Sequence, residues 1–164
     1  MALTKMADEG TTLKTRLLAE FDEEMAATRR MLAAVPEEKF GWRPNHKAFT
    51  LGKLANHVAM MPAAAAAYLK RRGSLPPEAA SNAELLESFD GSVADCREQL
   101  ESMSDERLAG TMLVMPGVEK PVWNVLRGRG LMNHMIHHRG QLSAYLRMLG
   151  ATVPGMHGPS ADEK

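Results

Sequence analysis

Cysteine is nearly absent from this chain of 164 residues. Cys96 stands alone, so no intrachain disulfide framework can staple the fold. Aromatic residues are scarce, with four Phe, two Tyr and two Trp. The core must therefore be built from aliphatic side chains and from the 13 methionines, which suit the irregular gaps of a helical interior. An excess of either charge is missing too. Lys plus Arg is 20 and Asp plus Glu is 20, so the basic surplus of a general nucleic-acid binder is lacking. Long apolar runs are absent. The longest, Val58 to Leu69, is interrupted by Pro62 and falls short of the roughly 20 residues a membrane span needs. The first ten residues have no apolar core and carry Asp8 and Glu9, unlike a signal peptide. These absences predict a cytoplasmic protein that engages neither nucleic acid nor membrane.

What is present is an ordinary globular balance, 45% hydrophobic and 24% charged. At this length one domain over 1–164 is expected, burying roughly 70% of its extended surface. No strand alternation is convincing, and four helical segments emerge. The first spans about 12–34, where Leu13, Leu17, Phe21, Met25, Thr28 and Leu32 recur at helical spacing and Pro36 stops the run. The connector that follows holds Phe40 and Trp42 and is expected to pack onto the bundle. The second segment spans about 51–71, with Thr50 as N-cap, Gly73 beyond its end and a kink expected at Pro62. The third spans about 82–103 and opens on a Ser81-to-Glu84 capping box. Its seam of Leu86, Phe89, Val93, Cys96, Leu100 and Met103 makes Cys96 a buried thiol rather than a nucleophile. A loop with a short hairpin at Pro116-Gly117 leads to the fourth segment, about 121–149. It begins at Pro121, is weakened by Gly128 and Gly130, and is capped by Gly150. The tail, 151–164, reads as irregular. The fold class is all-α, a four-helix bundle with long connectors.

Histidine placement carries the chemistry. His134 and His138 are four apart on the fourth segment, so both rings leave one helix face, a turn apart. His57 lies on the second segment between Leu54 and Met61 and faces the same way as that apolar stripe. Three inward imidazoles from two helices are the parts of a transition-metal site with open positions for water or substrate. His134 with His137 is a second pair that the spacing allows. His137 otherwise reads as a rim residue or a proton carrier. Gln141, three residues after His138, either orients a bound nucleophile or is a buried amide bonded to backbone. His46 and His157 read as solvated loop residues. Glu24 lies beside the apolar face of the first segment and could reach inward, but reads as a solvent-facing partner of nearby arginines. Arg139, about 100° around the helix from His138, reads as a surface or interface residue.

Several stretches together resemble a known family. They are Val35-Pro36-Glu37-Glu38-Lys39-Phe40-Gly41-Trp42-Arg43-Pro44 and Leu51-Gly52-Lys53-Leu54-Ala55-Asn56-His57-Val58-Ala59. His137-His138-Arg139-Gly140-Gln141-Leu142 and the tail Gly158-Pro159-Ser160-Ala161-Asp162-Glu163 complete the set. In order and separation, from about Leu13 to Glu163, they are similar to the DinB-like family of the DinB/YfiT-like four-helix-bundle superfamily. The resemblance implies a stress-linked homodimer with a divalent metal, nickel or zinc, held by three histidines that match His57, His134 and His138. It also implies thiol-transferase-like or hydrolase-like action on a small-molecule substrate. There the nucleophile is a metal-bound water or thiol, the thiol being of low molecular weight. No catalytic side chain is assigned. The alternative is a non-catalytic metal-binding stress-response dimer.

Overall fold

The computed structural model of the chain describes residues 11–163, so the reading of the first ten lies outside the described residues. Helix α1 runs Leu13–Ala33, and the side chain of Thr12 caps it by accepting from the Thr15 amide. Leu17, Phe21, Met25, Thr28 and Leu32 are buried, as their spacing requires. Beyond Pro36 a single 3-10 turn, Glu37–Lys39, leads into the aromatic connector. That connector packs on the bundle as expected. The Leu51 amide donates to the Trp42 carbonyl at 2.7 Å and the Gly52 amide to the Phe40 carbonyl at 2.9 Å. A Cβ at position 52 would sit 2.9 Å from the Phe40 Cβ, so only glycine admits this approach.

The second segment is two helices rather than one kinked helix. Helix α2 runs Leu51–Ala59 and α3 runs Met61–Lys70, with Met60 the cap between them. The reason is Pro62, which lacks the N–H that would continue the ladder and instead sits in the first turn of a fresh helix. Helix α3 ends at Lys70, followed by Arg71 in the left-handed region at φ 54°. Helix α4 runs Asn82–Glu101, with the Ser81 side chain accepting from the Glu84 amide. The loop expected next contains a further short helix, α5, Asp105–Ala109, capped by Ser104. Strands β1, Thr111–Met115, and β2, Val118–Pro121, then pair antiparallel around Pro116-Gly117. The fourth segment is also broken. Helix α6 runs Val122–Arg127 and α7 runs Met132–Met148. Gly130 folds its amide onto the Val125 carbonyl at 2.9 Å, where a Cβ would meet that oxygen at 2.7 Å.

The helices close into a four-helix bundle, with α1 against α4 and α7, α3 against α4, and α2 against both α7 and α4. Its core is aliphatic and methionine-rich, including Met25, Met31, Met61, Met103, Met132 and Met135. Cys96 is fully buried in it, and burial pushes the thiol up to about 12. No helix among the described residues is long and apolar enough to cross a membrane.

Two charges lie inside this core, contrary to the solvent-facing position expected for Glu24 and the surface or interface position expected for Arg139. Arg139 is 2% exposed and Glu24 is 8% exposed. Arg139 Nη2 lies 2.7 Å from Glu24 Oε2, while Nη1 donates to the Glu24 carbonyl at 3.2 Å and to Thr28 Oγ1 at 3.0 Å. The close Nη2 approach to Oε2 is an ion pair without hydrogen-bond alignment, because Oε2 receives no well-directed donor. The tail folds over this side of α7. Asp162 pairs with Arg147 and accepts from the Val153 amide, and Glu163 accepts from the amides of Gly155 and Ser160.

Replacing one member of the buried pair strands the other. Arg139→Met is expected to cost about 3–5 kcal/mol in urea unfolding, and Glu24→Leu combined with Arg139→Met far less than that. An additive double variant would show that the two charges do not act as a pair.

Candidate metal centre

Three histidines converge where α2 meets α7. The His57 and His138 ring centroids are 4.6 Å apart, those of His57 and His134 5.4 Å, and those of His134 and His138 4.8 Å. One nitrogen from each ring can be chosen so that all three lie within 4.8 Å of one another. The three side chains are half-buried, so the cluster sits at the wall of the bundle, not in its centre. The expected inward face of α7 is rotated accordingly. Met132, Met135, Arg139, Leu142 and Leu146 fill the core, and the histidines flank that stripe.

Local sequence explains each placement. His134 and His138 stand one turn apart on α7, and their Nε2 atoms face each other at 3.1 Å. Helix α2 is anchored at its start by the Phe40 and Trp42 carbonyls. It is also held by Asn56, the residue before His57. Asn56 Nδ2 donates to the carbonyls of Gly52 at 3.0 Å and Ala79 at 3.1 Å, and its Oδ1 accepts from the Ala79 amide at 2.7 Å.

Gln141 and His137 complete a polar chain on the exposed side. The Gln141 amide nitrogen lies 3.2 Å from His137 Nε2, and its Oε1 lies 2.8 Å from His138 Nδ1. An amide nitrogen only donates and an amide oxygen only accepts, so this orientation assigns the His138 proton to Nδ1. The His138 Nε2 lone pair is then left facing His134 and His57. A ligating histidine is normally held in this way, its far nitrogen donating to a carbonyl oxygen.

The donor set fits a metal ion. Two imidazole nitrogens on a tetrahedral ion are about 3.4 Å apart at ordinary bond lengths, close to the separation that His134 and His138 already have. Burial, and then the fields of His138 and His134, hold His57 below the usual histidine range. Burial likewise lowers His134, followed by His138, Arg129 and His137, against an opposing hydrogen bond with the Arg129 backbone. Both rings are thus neutral at pH 7, the form that binds metal.

Other residues fall elsewhere. His46 is exposed in the connector and is not part of the three-histidine cluster. His157 is exposed, yet its Nε2 lies 3.3 Å from Arg139 Nη2, so it belongs to the buried ion pair's surroundings. The tail lies against Arg30, Arg139 and Arg147, and among the described residues it makes no hydrogen bond, ion pair or ring contact with the three histidines. Sequence reasoning passed over the Glu24–Arg139 pair. Its signal was spacing, since Glu24 is three residues after Phe21, and Arg139 is four after Met135 and three before Leu142.

Comparison with known proteins agrees with the fold. The DinB family model matches residues 6–164. The uncharacterized protein YrdA of Bacillus subtilis (strain 168) is 25% identical over 154 residues, covering 89% of each chain. A crystal structure of a DinB-like protein from Bacillus cereus ATCC 10987 superposes with a TM-score of 0.74 at 22% identity, covering 86% of this chain and 95% of that one. A DinB-like protein, YjoA, from Bacillus subtilis gives a TM-score of 0.67 at 18% identity, covering 91% and 98%. At these identities the two structures speak for the fold.

The lowered histidines have a direct consequence for the metal-free protein. An unfolded histidine takes up its proton near pH 6.5, whereas His57 and His134 in the fold do so only at lower pH. They leave stability untouched well above pH 6.5 and reduce it as pH falls through that value toward their folded pKa. The urea midpoint is expected to drop between pH 7.5 and 5.5, and His57→Gln should remove part of that drop. Ring-proton NMR titrations of both residues with midpoints at or above 6.5 would contradict this.

Proposed function

The chain belongs to the DinB family, and from that premise we propose that it is a divalent-metal-dependent enzyme whose ligands are His57, His134 and His138. The observation that carries the reading is the convergence of three imidazole nitrogens with the His138 proton already committed to Gln141. A transition ion there, nickel or zinc, supplies Lewis acidity and favours the deprotonated form of a thiol or a water. Imidazole donors suit both metals, and three of them leave open positions. The half-buried setting of the rings gives a small molecule access to those positions. We read the reaction as transferase-like with a low-molecular-weight thiol, or hydrolase-like with water, in a cytoplasmic, stress-linked homodimer.

The chain's own residues have separable tasks in this reading. His57, His134 and His138 hold the ion. Gln141 keeps His138 in the ligating tautomer, and His137 holds Gln141 in turn. Arg139 sets the rotation of α7 through Glu24 and Thr28. One feature favours the alternative of a metal-holding module without chemistry. None of the three metal-directed residues is a carboxylate, and the buried carboxylate of Glu24 is tied to Arg139.

Elemental analysis tests the site. The protein reloaded with nickel or zinc is expected to hold about one ion per chain. The His134→Ala, His138→Ala variant should hold none, and Gln141→Ala should bind about 10–100-fold more weakly. An unchanged metal content in the double variant would overturn the assignment. Turnover of an electrophile with a thiol, lost with the metal, would separate enzyme from module.

A further inference from the structure

Phe49 is placed as no core residue would be. It directly precedes Thr50, the N-cap of α2, the position from which an apolar side chain ordinarily staples onto the residue four places into the helix, here Leu54. Leu54 is 1% exposed, but Phe49 remains 50% exposed and is not among the partly buried hydrophobics packed on the core, whereas Phe40, Trp123 and Tyr145 are. Its ring instead stands beside His57, with centroids 6.0 Å apart and planes tilted at 55°. An aromatic face is thus held at the rim of the three-histidine cluster and left open to solvent.

Arg129 is the complementary feature on the His134 side. It lies in the Gly128–Gly130 break between α6 and α7, five residues before His134, and its charge bears on the His134 ring. It is exposed, and its guanidinium has no ion-pair or hydrogen-bond partner among the described residues. Arg127, two residues away, is by contrast bonded to both carboxylate oxygens of Glu20 at 2.9 Å. A divalent ion at the three histidines would add positive charge on the same side as the guanidinium of Arg129.

We propose that the metal centre selects an amphipathic organic anion: a donor group for the metal, an apolar or aromatic group laid on Phe49, and a carboxylate paired with Arg129. This rests on the metal-site reading above and narrows it to a substrate class. Phe49 and Arg129 are specificity residues, and neither holds the ion. The aromatic face rewards a flat apolar group by contact area and ring geometry. The arginine rewards a planar oxyanion that it can grip with two donors.

The test uses the cobalt(II)-loaded protein and reads dissociation constants from its visible spectrum with matched thiols. Benzyl mercaptan is expected to bind about three- to tenfold more tightly than ethanethiol. 3-Mercaptopropionate should bind about two- to fivefold more tightly than 2-mercaptoethanol at low salt, with the advantage shrinking as salt is added. Phe49→Ala should abolish the first preference and spare the second, and Phe49→Leu should leave part of the first. Arg129→Gln should abolish the second and spare the first. All variants should keep one cobalt per chain and their melting temperature, since Phe49 is outside the core and Arg129 is unpaired. Thiols that bind without these preferences, or preferences that survive the substitutions, would overturn the substrate class alone. A cobalt spectrum that no thiol alters would overturn the open metal site and this inference with it.

Discussion

The site depends on how α7 is rotated about its own axis, and that rotation is held by Arg139. Its guanidinium lies in the core against Glu24 and Thr28 of α1. A buried guanidinium without its carboxylate is strongly unfavourable, so α7 cannot turn away from α1. Each residue advances a helix by about 100°, so fixing Arg139 toward α1 aims its neighbour His138 toward α2. His134, one turn earlier, follows. A charge pair in the core adds little net stability compared with an apolar replacement. Its value here is directional, because leucine in place of Arg139 would pack well at many angles.

The facing helix is held by different means. Helix α2 is only nine residues long, too short to be stable alone. It is tied at its start by the aromatic connector, which can approach because residue 52 is glycine, and near its end by Asn56. His57 is adjacent to that last tie. One ligand therefore comes from a helix positioned by backbone hydrogen bonds, and two come from a helix positioned by an ion pair.

Much of this was legible in the sequence. The apolar period of α1 and α4, the caps at Thr50 and Ser81 and the hairpin at Pro116-Gly117 are local patterns, and each element formed where its pattern lay. The four-residue spacing of His134 and His138 dictated that their rings meet, and the stripe position of His57 aimed it near them. The misses were non-local or concerned how helices break. Proline restarted a helix at Met61 where a kink was expected, because the first turn has no use for its missing N–H. Two glycines interrupted the last segment outright. Glu24 was read as solvent-facing, and Arg139, from its angle to His138, as a surface or interface residue, although both sit on apolar stripes. What reconciled charge with stripe was a partner 115 residues away, which no local window contains.

The seclusion of Cys96 has a consequence for the chain as a chemical object. Its thiol is closed in by the core and pushed up to about 12, so almost none of it is thiolate in neutral solution. Thiolate is the form that attacks disulfides and peroxides. The folded polypeptide therefore offers no reactive thiol of its own. It can sit among thiols and disulfides without exchanging with them, so the thiol–disulfide balance of its surroundings leaves no mark on its one cysteine.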